Sequence, residues 1–554
     1  MAATSRALTR RSLLKVAGLA GGAWALSSCS RDSGANSAMT GTGGVSGNDD
    51  EVIVVMNTTS EPDAGFDPCF NWGCGEHVHE PLIQSTLITT DENLAFVNDL
   101  ATSYAVAEDA MSWTFDIRDD VVFSDGTALT ARDVAFSINA VKASAGSQLD
   151  LSYVDRAVAE TDFKAVIYLT KPYNALLYTL AVVGIIPEAS YDAATYGQAP
   201  IGSGRYRLVQ WDRGQQVILE ANPTYYGTPP SMRKVTVLFM QEDAALAAAR
   251  AGEVDIAYTS ATLAQARMSG YSLLECATND CRGISLPCVE PEAPTTDGQG
   301  HEFPVGAAFS SDVLVRRALN LAVDRQQLID HVFSGHARIA YGVADGLPWA
   351  SPAMEVVTDW KQAAALMEQA GWAKSDEGVY ARGRELAGFT LMYPTDDSTR
   401  QAIAEEIKNQ LTDFGIQVHT SGATWTYDSD GLYAHQYADP IVWGWGSNSP
   451  TQLYDLTFST SASNFSSYRN ATVDAHLNAA LAAPTVEGAY NEWKLAQWDG
   501  AEGVAPVGGA SWIWLANVNH LYFKRDGLDV GAQKPHPHGH GWSLVNNVDR
   551  WGWQ

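Results

Sequence analysis

Residues 113–141, WTFDIRDDVVFSDGTALTARDVAFSINAV, constrain the fold more than any other stretch. Trp113, Phe115 and Ile117 alternate with polar residues, the pattern of a half-buried strand. Ser124-Asp125-Gly126 reads as a tight turn, with glycine able to take positive φ. Thr130 and Asp133 stand in capping-box spacing ahead of Val134, Ile138 and Val141, which gives a helix start and one apolar helix face. The stretch therefore predicts strand, turn, strand and capped helix, a mixed α/β arrangement.

At 554 residues the chain exceeds one ordinary core, so two or three domains are expected. Hydrophobic residues at 46% and charged residues at 18% fit a globular chain. A formal charge of −29 argues against non-specific nucleic-acid binding, which needs Lys/Arg patches. After residue 30 no apolar run of 18 or more residues occurs, so the mature chain is not expected to span a membrane.

The N-terminus reads as an export segment. Thr9-Arg10-Arg11-Ser12-Leu13-Leu14-Lys15 matches a twin-arginine signal, and residues 16–26 are apolar. Leu26-Ser27-Ser28-Cys29 resembles a lipobox, in which Cys29 would carry lipid and become the first mature residue. Residues 30–50, rich in Gly, Ser, Thr and Asn, read as a flexible tether. Cys69 and Cys74 flank a short Trp-Gly turn, where a small disulfide loop is plausible in an oxidising compartment. Cys276, Cys281 and Cys288 leave two readings open: one pair with one buried thiol, or a metal site.

Further motifs extend along the chain: Ile201-Gly202-Ser203-Gly204-Arg205-Tyr206, Asn222-Pro223-Thr224-Tyr225-Tyr226-Gly227, Gly252-Glu253-Val254-Asp255-Ile256, the continuous helical pattern of residues 312–335, and the helical pattern of 363–372. Ile403, Ile407, Leu411 and Phe414 keep helical spacing up to Gly415. With residues 113–141, these resemble the family 5 solute-binding proteins of bacterial ABC importers, the peptide/nickel class, over nearly all of residues 50–554. The resemblance implies an α/β, two-lobed periplasmic-binding-protein (type 2) fold, with an extra domain in the first lobe and a hinge between lobes. The expected division is signal 1–29, tether 30–50, first-lobe main domain 51–90 and 201–305, extra domain 91–200, second lobe 306–515, and a C-terminal return to the first lobe at 516–554.

In peptide-binding members an acidic residue follows the strand equivalent to Ile441-Val442-Trp443-Gly444-Trp445-Gly446. Here Ser447 and Asn448 occupy that turn. A neutral Asn accepts a hydrogen bond but does not neutralise a peptide ammonium. Trp443 and Trp445 either line a ligand pocket or serve as strand core. His536, His538 and His540 alternate with Pro and Gly, and in an extended chain they project to one side. They are candidate ligands for nickel, zinc or copper, with His77 and His79 as a second group, or else polar turn residues.

The resulting expectation is a lipid-anchored binding protein, monomeric, on the outer face of the cytoplasmic membrane. It would capture a short peptide, or alternatively nickel or a nickel chelate, and deliver it to an ABC permease and its ATPase. Closure around the ligand needs no cofactor and no catalysis. An enzyme is disfavoured because no H-E-x-x-H or convincing G-x-S-x-G elbow occurs. A scaffold lipoprotein that keeps the fold without transport would show no ligand-induced closure.

Overall fold

The computed structural model describes residues 49–62, 64–70, 82–296, 302–433, 438–535, 544 and 546–554. The stretch that opened the sequence reading folds largely as its residues dictate. Strand Ser112–Ile117 buries Trp113, Phe115 and Ile117. Gly126 takes φ +87° at the turn. Helix Ala131–Ala143 starts at a complete capping box, in which the Thr130 hydroxyl and the Asp133 carboxylate each bond the other residue's backbone. The expected second strand is reduced to one bridge, Val122 with Ala128. The loop directs its Ser124 N–H to Gly202 O at 2.9 Å instead of into a ladder.

Three sheets of four or more strands organise the described residues. A seven-stranded sheet runs in the order Tyr271–Cys276, His520–Arg525, Ile256–Thr259, Glu51–Asn57, Lys234–Met240, Gln216–Ala221, Tyr206–Asp212. Glu51–Asn57 pairs in parallel with both Lys234–Met240 and Ile256–Thr259. A six-stranded sheet runs Ala337–Ile339, Trp512–Val518, Cys281–Ser285, Ile441–Trp445, Gly388–Pro394, Gln417–Ala423. Gly388–Pro394 is parallel to Gln417–Ala423 and to Ile441–Trp445. The extra domain is a four-stranded antiparallel sheet of Ala101–Val106, Ser112–Ile117, Lys164–Leu169 and Val154–Thr161.

The chain passes between the two large sheets twice, from Cys276 to Cys281 and from Val518 to His520. The crossings lie side by side. Cys276 pairs with His520, Cys281 with Asn517, and Val518 N–H bonds Asp280 O at 2.9 Å. Cys281–Ser285 is therefore the first strand in chain order of the six-stranded sheet. Cys281–Ser285, CRGIS, is a five-residue strand, and its pairing is fixed by partners more than 150 residues away, which no local pattern reports.

One other reading changes on contact with the structure. Residues 312–335 form two helices, Val313–Ala322 and Arg325–Phe333, rather than one. Asp324 breaks the run by N-capping the second helix through its bond to Gln327 N–H. Buried Arg325 then donates to Asn320 O (3.1 Å) and Trp514 O (2.7 Å), using a carbonyl that the break releases. Gly202 and Gly204 are needed for close approach rather than for left-handed backbone: a Cβ would stand 2.0 Å from Ile83 O at Gly202 and 2.3 Å from Leu82 O at Gly204. We therefore expect Gly202→Ala to cost about 3 kcal/mol in urea unfolding, because backbone must shift to admit the methyl. Gly126→Ala, with open space around it, should cost about 1 kcal/mol, through φ alone.

Candidate binding cleft

In open α/β sheets, ligands gather outside the carboxyl ends of parallel strands. In the first lobe those ends are Asn57, Met240 and Thr259; in the second they are Pro394, Ala423 and Trp445. The two rows face one another. The Tyr258 phenol, beside Asn57, shares its surroundings with Asp397 and Arg282 of the second lobe. Burial, with Glu242 adding to it, pushes that phenol up to about 12. The space between the rows is the candidate cleft.

Its second-lobe wall is built from paired charges and stacked rings. Arg282 grips Asp280 with both terminal nitrogens, Nη2 to Oδ2 at 2.9 Å, and His520 Nε2 lies 3.2 Å from the same Oδ2. Arg400, 6% exposed, pairs with Asp397. Burial alone would raise the Asp280 carboxyl; the Arg282 charge and the bonds from His520 and Arg282 outweigh it and hold Asp280 well below the usual carboxylate range. Asp397 is likewise lowered against its burial, first by Arg400 and then by Arg282. The Arg400 guanidinium sits 4.8 Å over the Trp425 ring and 5.8 Å from Trp443. Trp425 stacks on Trp443 at 4.6 Å with 23° between planes.

This geometry decides where the sequence candidates stand. Trp443 and Trp445 are each 5% exposed and belong to the core of the wall, both packed against Phe465. Trp425 is 40% exposed and offers its ring to the solvent side. Ser447 Oγ accepts from Ser449 N–H at 3.1 Å, and Asn448, buried, accepts from Asn279 Nδ2 at 2.9 Å. Asn279 lies in the first crossing, so Asn448 ties the turn to the hinge. Cys29, Cys74, His77, His79, His536, His538 and His540 lie outside the described residues. Cys69 is buried beside Asp67 and Tyr191. Among the described residues no group of three or more His, Cys, Asp or Glu is placed to hold a metal ion, and no helix is long and apolar enough to cross a membrane.

A second polar cluster joins the extra domain to the second lobe. Tyr153 stacks on Tyr173 at 4.2 Å and bonds Tyr454 on helix Thr451–Thr457, which follows the Trp443 strand. Asp455 on that helix faces Asp150; burial first, and the Asp150 charge second, push it up to about 7. Sequence reasoning missed Asp280, Arg282, Arg400, Trp425 and Asp455, because strands and helices distant in sequence bring them together. Local signals existed in the Asp280–Arg282 pair, two residues apart, and in the Asp397 cap three residues before Arg400.

Comparison with known proteins agrees with this architecture. The sequence model for bacterial extracellular solute-binding proteins, family 5 Middle, matches residues 95–467. Protein XP55 of Streptomyces lividans is 30% identical over 95% of this chain and 93% of its own. The oligopeptide-binding protein AppA of Bacillus subtilis is 26% identical over 81% of this chain and 84% of its own. The nickel-binding periplasmic protein of Escherichia coli is 26% identical over 65% and 67%. Among solved structures, NikZ from Campylobacter jejuni in complex with Ni(L-His) superposes with a TM-score of 0.75 at 21% identity, covering 91% of this chain and 99% of that one.

Two pH responses follow from the charged groups. Asp280 is depressed in the folded chain, so its contribution is present above about pH 4 and is lost as pH falls through the folded value. Asp280→Asn should cost about 3 kcal/mol near neutrality by stranding Arg282, and the gap to the parent should close in denaturation curves below about pH 4. Asp455 has the opposite sign: raised in the folded chain, it weakens the fold as pH rises from about 4 toward 7. Asp455→Asn should match the parent at about pH 4 and exceed it in stability at about pH 8.

Proposed function

The chain belongs to the bacterial extracellular solute-binding proteins of family 5, and we propose that its solute is a short peptide. As a member it is a binding protein rather than an enzyme, the solute-binding component of an ABC importer of the peptide/nickel class. It captures its peptide between the facing strand ends and hands it to a permease driven by an ATPase. The observation that carries the peptide reading is the match to an oligopeptide-binding protein across 81% of the chain, a wider span than the 65% shared with a nickel-binding protein. The cleft chemistry is consistent with it. Trp425 offers an exposed ring at the wall for apolar side chains. An ammonium placed beside Asp150 and Asp455 would favour the charged form of Asp455, which burial first and Asp150 second oppose, and would take the part that an acidic residue at position 448 plays in peptide-binding members. A lipid on Cys29 would hold the chain at the outer face of the cytoplasmic membrane, as a monomer on the tether of residues 30–50.

A nickel chelate is the second reading, with His536, His538, His540, His77 and His79 as ligands. The match to the nickel-binding periplasmic protein of Escherichia coli, 26% identical over 65% of this chain, supports it.

Calorimetric titration of the chain with a pool of short peptides, and separately with nickel plus L-histidine, distinguishes the readings. We expect heat with the peptides, an affinity reduced about tenfold or more by Trp425→Ala, and no change on replacing the three C-terminal histidines by alanine. Heat with nickel–histidine alone, abolished by the histidine replacements, would sink the peptide reading. Cys29→Ser should move the protein from the membrane fraction to the medium or periplasm.

A further inference from the structure

Helix Ala471–Ala482 of the second lobe ends in Leu481, Ala482 and the C-cap Ala483. The last four carbonyls of any helix lack partners within the helix. Here three carbonyls at this end receive hydrogen bonds from a single residue of the other lobe. Asn174 lies between strand Lys164–Leu169 and helix Leu176–Leu180 of the extra domain. Its Nδ2 donates to Ala480 O at 2.7 Å and to Ala483 O at 3.0 Å, and its backbone N–H donates to Leu481 O at 3.1 Å. The residue is 5% exposed. Beside it the lobes meet through rings: Tyr178 lies edge-on to Trp349 at 6.1 Å and bonds Tyr490. Hydrogen bonds hold only within a narrow range of distance and angle, so the three Asn174 bonds require the lobes to keep this arrangement.

We infer that Asn174 is a latch for the closed cleft, a positioning residue that caps a helix of the opposite lobe and so favours closure before and during solute capture. The inference rests on the reading that this chain captures its solute by lobe closure. The physics suits a reversible contact. When the lobes part, water takes over the carbonyls and the amide, so each bond contributes only modestly to the balance. A latch of this strength biases an equilibrium without locking it. The identity of the side chain matters. Alanine removes both donors. Aspartate keeps the shape, lacks the donors, and sets a negative charge at the negative end of the helix dipole.

The test is hydrogen exchange on the full chain without solute, comparing the parent with Asn174→Ala and Asn174→Asp. The amide of residue 174 itself bonds from the extra domain to Leu481 O of the second lobe, so its exchange reports parting of the lobes directly. We expect it to exchange about tenfold faster in Asn174→Ala, and faster again in Asn174→Asp. The amides of strand Ser112–Ile117 and of the interior of helix Ala471–Ala482 should be unchanged. Equal exchange at residue 174 in all three proteins would overturn the inference. So would acceleration shared by the Ser112–Ile117 amides, which would mark residue 174 as ordinary core. Loss of the thermal transition in both variants would overturn it too, because a latch is dispensable for folding. Adding a short-peptide pool then separates this inference from the peptide reading. If the variants behave as expected but no peptide slows exchange at residue 174, the latch stands and the peptide reading falls.

Discussion

The architecture depends on two neighbouring strand crossings. The chain leaves the seven-stranded sheet at Cys276 and enters the six-stranded sheet at Cys281, then returns from Val518 to His520. The crossings are bonded to each other, with Thr278 Oγ1 donating to Val518 O at 2.7 Å and Val518 N–H to Asp280 O. Two short connections of this kind let the lobes rotate while keeping their strand ends aimed at one another. The fold supplies a cleft by topology, because both sheets turn the carboxyl ends of their parallel strands toward it.

The buried charges are arranged around the same hinge. Asp280 lies within the first crossing, and His520 ends the second. Arg282, Asp397 and Arg400 follow on the second-lobe side, so two cations and two carboxylates balance in a small volume. Such a set contributes little net stability, since desolvation offsets most of the attraction. Each member is costly to remove alone, however, and the set fixes the position of Trp425 and Trp443 through the cation–ring contacts of Arg400. The wall that a solute meets is therefore held from behind by the residues that define the hinge.

Much of the fold was legible because it is encoded locally. The alternation of Trp113, Phe115 and Ile117, the Thr130/Asp133 box and the stop at Gly415 each need only neighbours within a few residues. What was not legible is relational. The break at Asp324 follows from where the Arg325 guanidinium must go, and its carbonyl partner on Trp514 is 189 residues away. Gly202 and Gly204 were visible as glycines, but their reason, the backbone of Leu82 and Ile83, was not. Trp443 and Trp445 stood out in sequence, yet the exposed ring belongs to Trp425, which stacks on Trp443 from another element.

The central claim is that a solute closes the two lobes about this hinge. Small-angle X-ray scattering of the chain, with and without a saturating short-peptide pool, tests it most directly. The account predicts a smaller radius of gyration with peptide and a reversal when the peptide is dialysed away. An unchanged radius at peptide concentrations that give calorimetric saturation would contradict it, because binding would then proceed without closure.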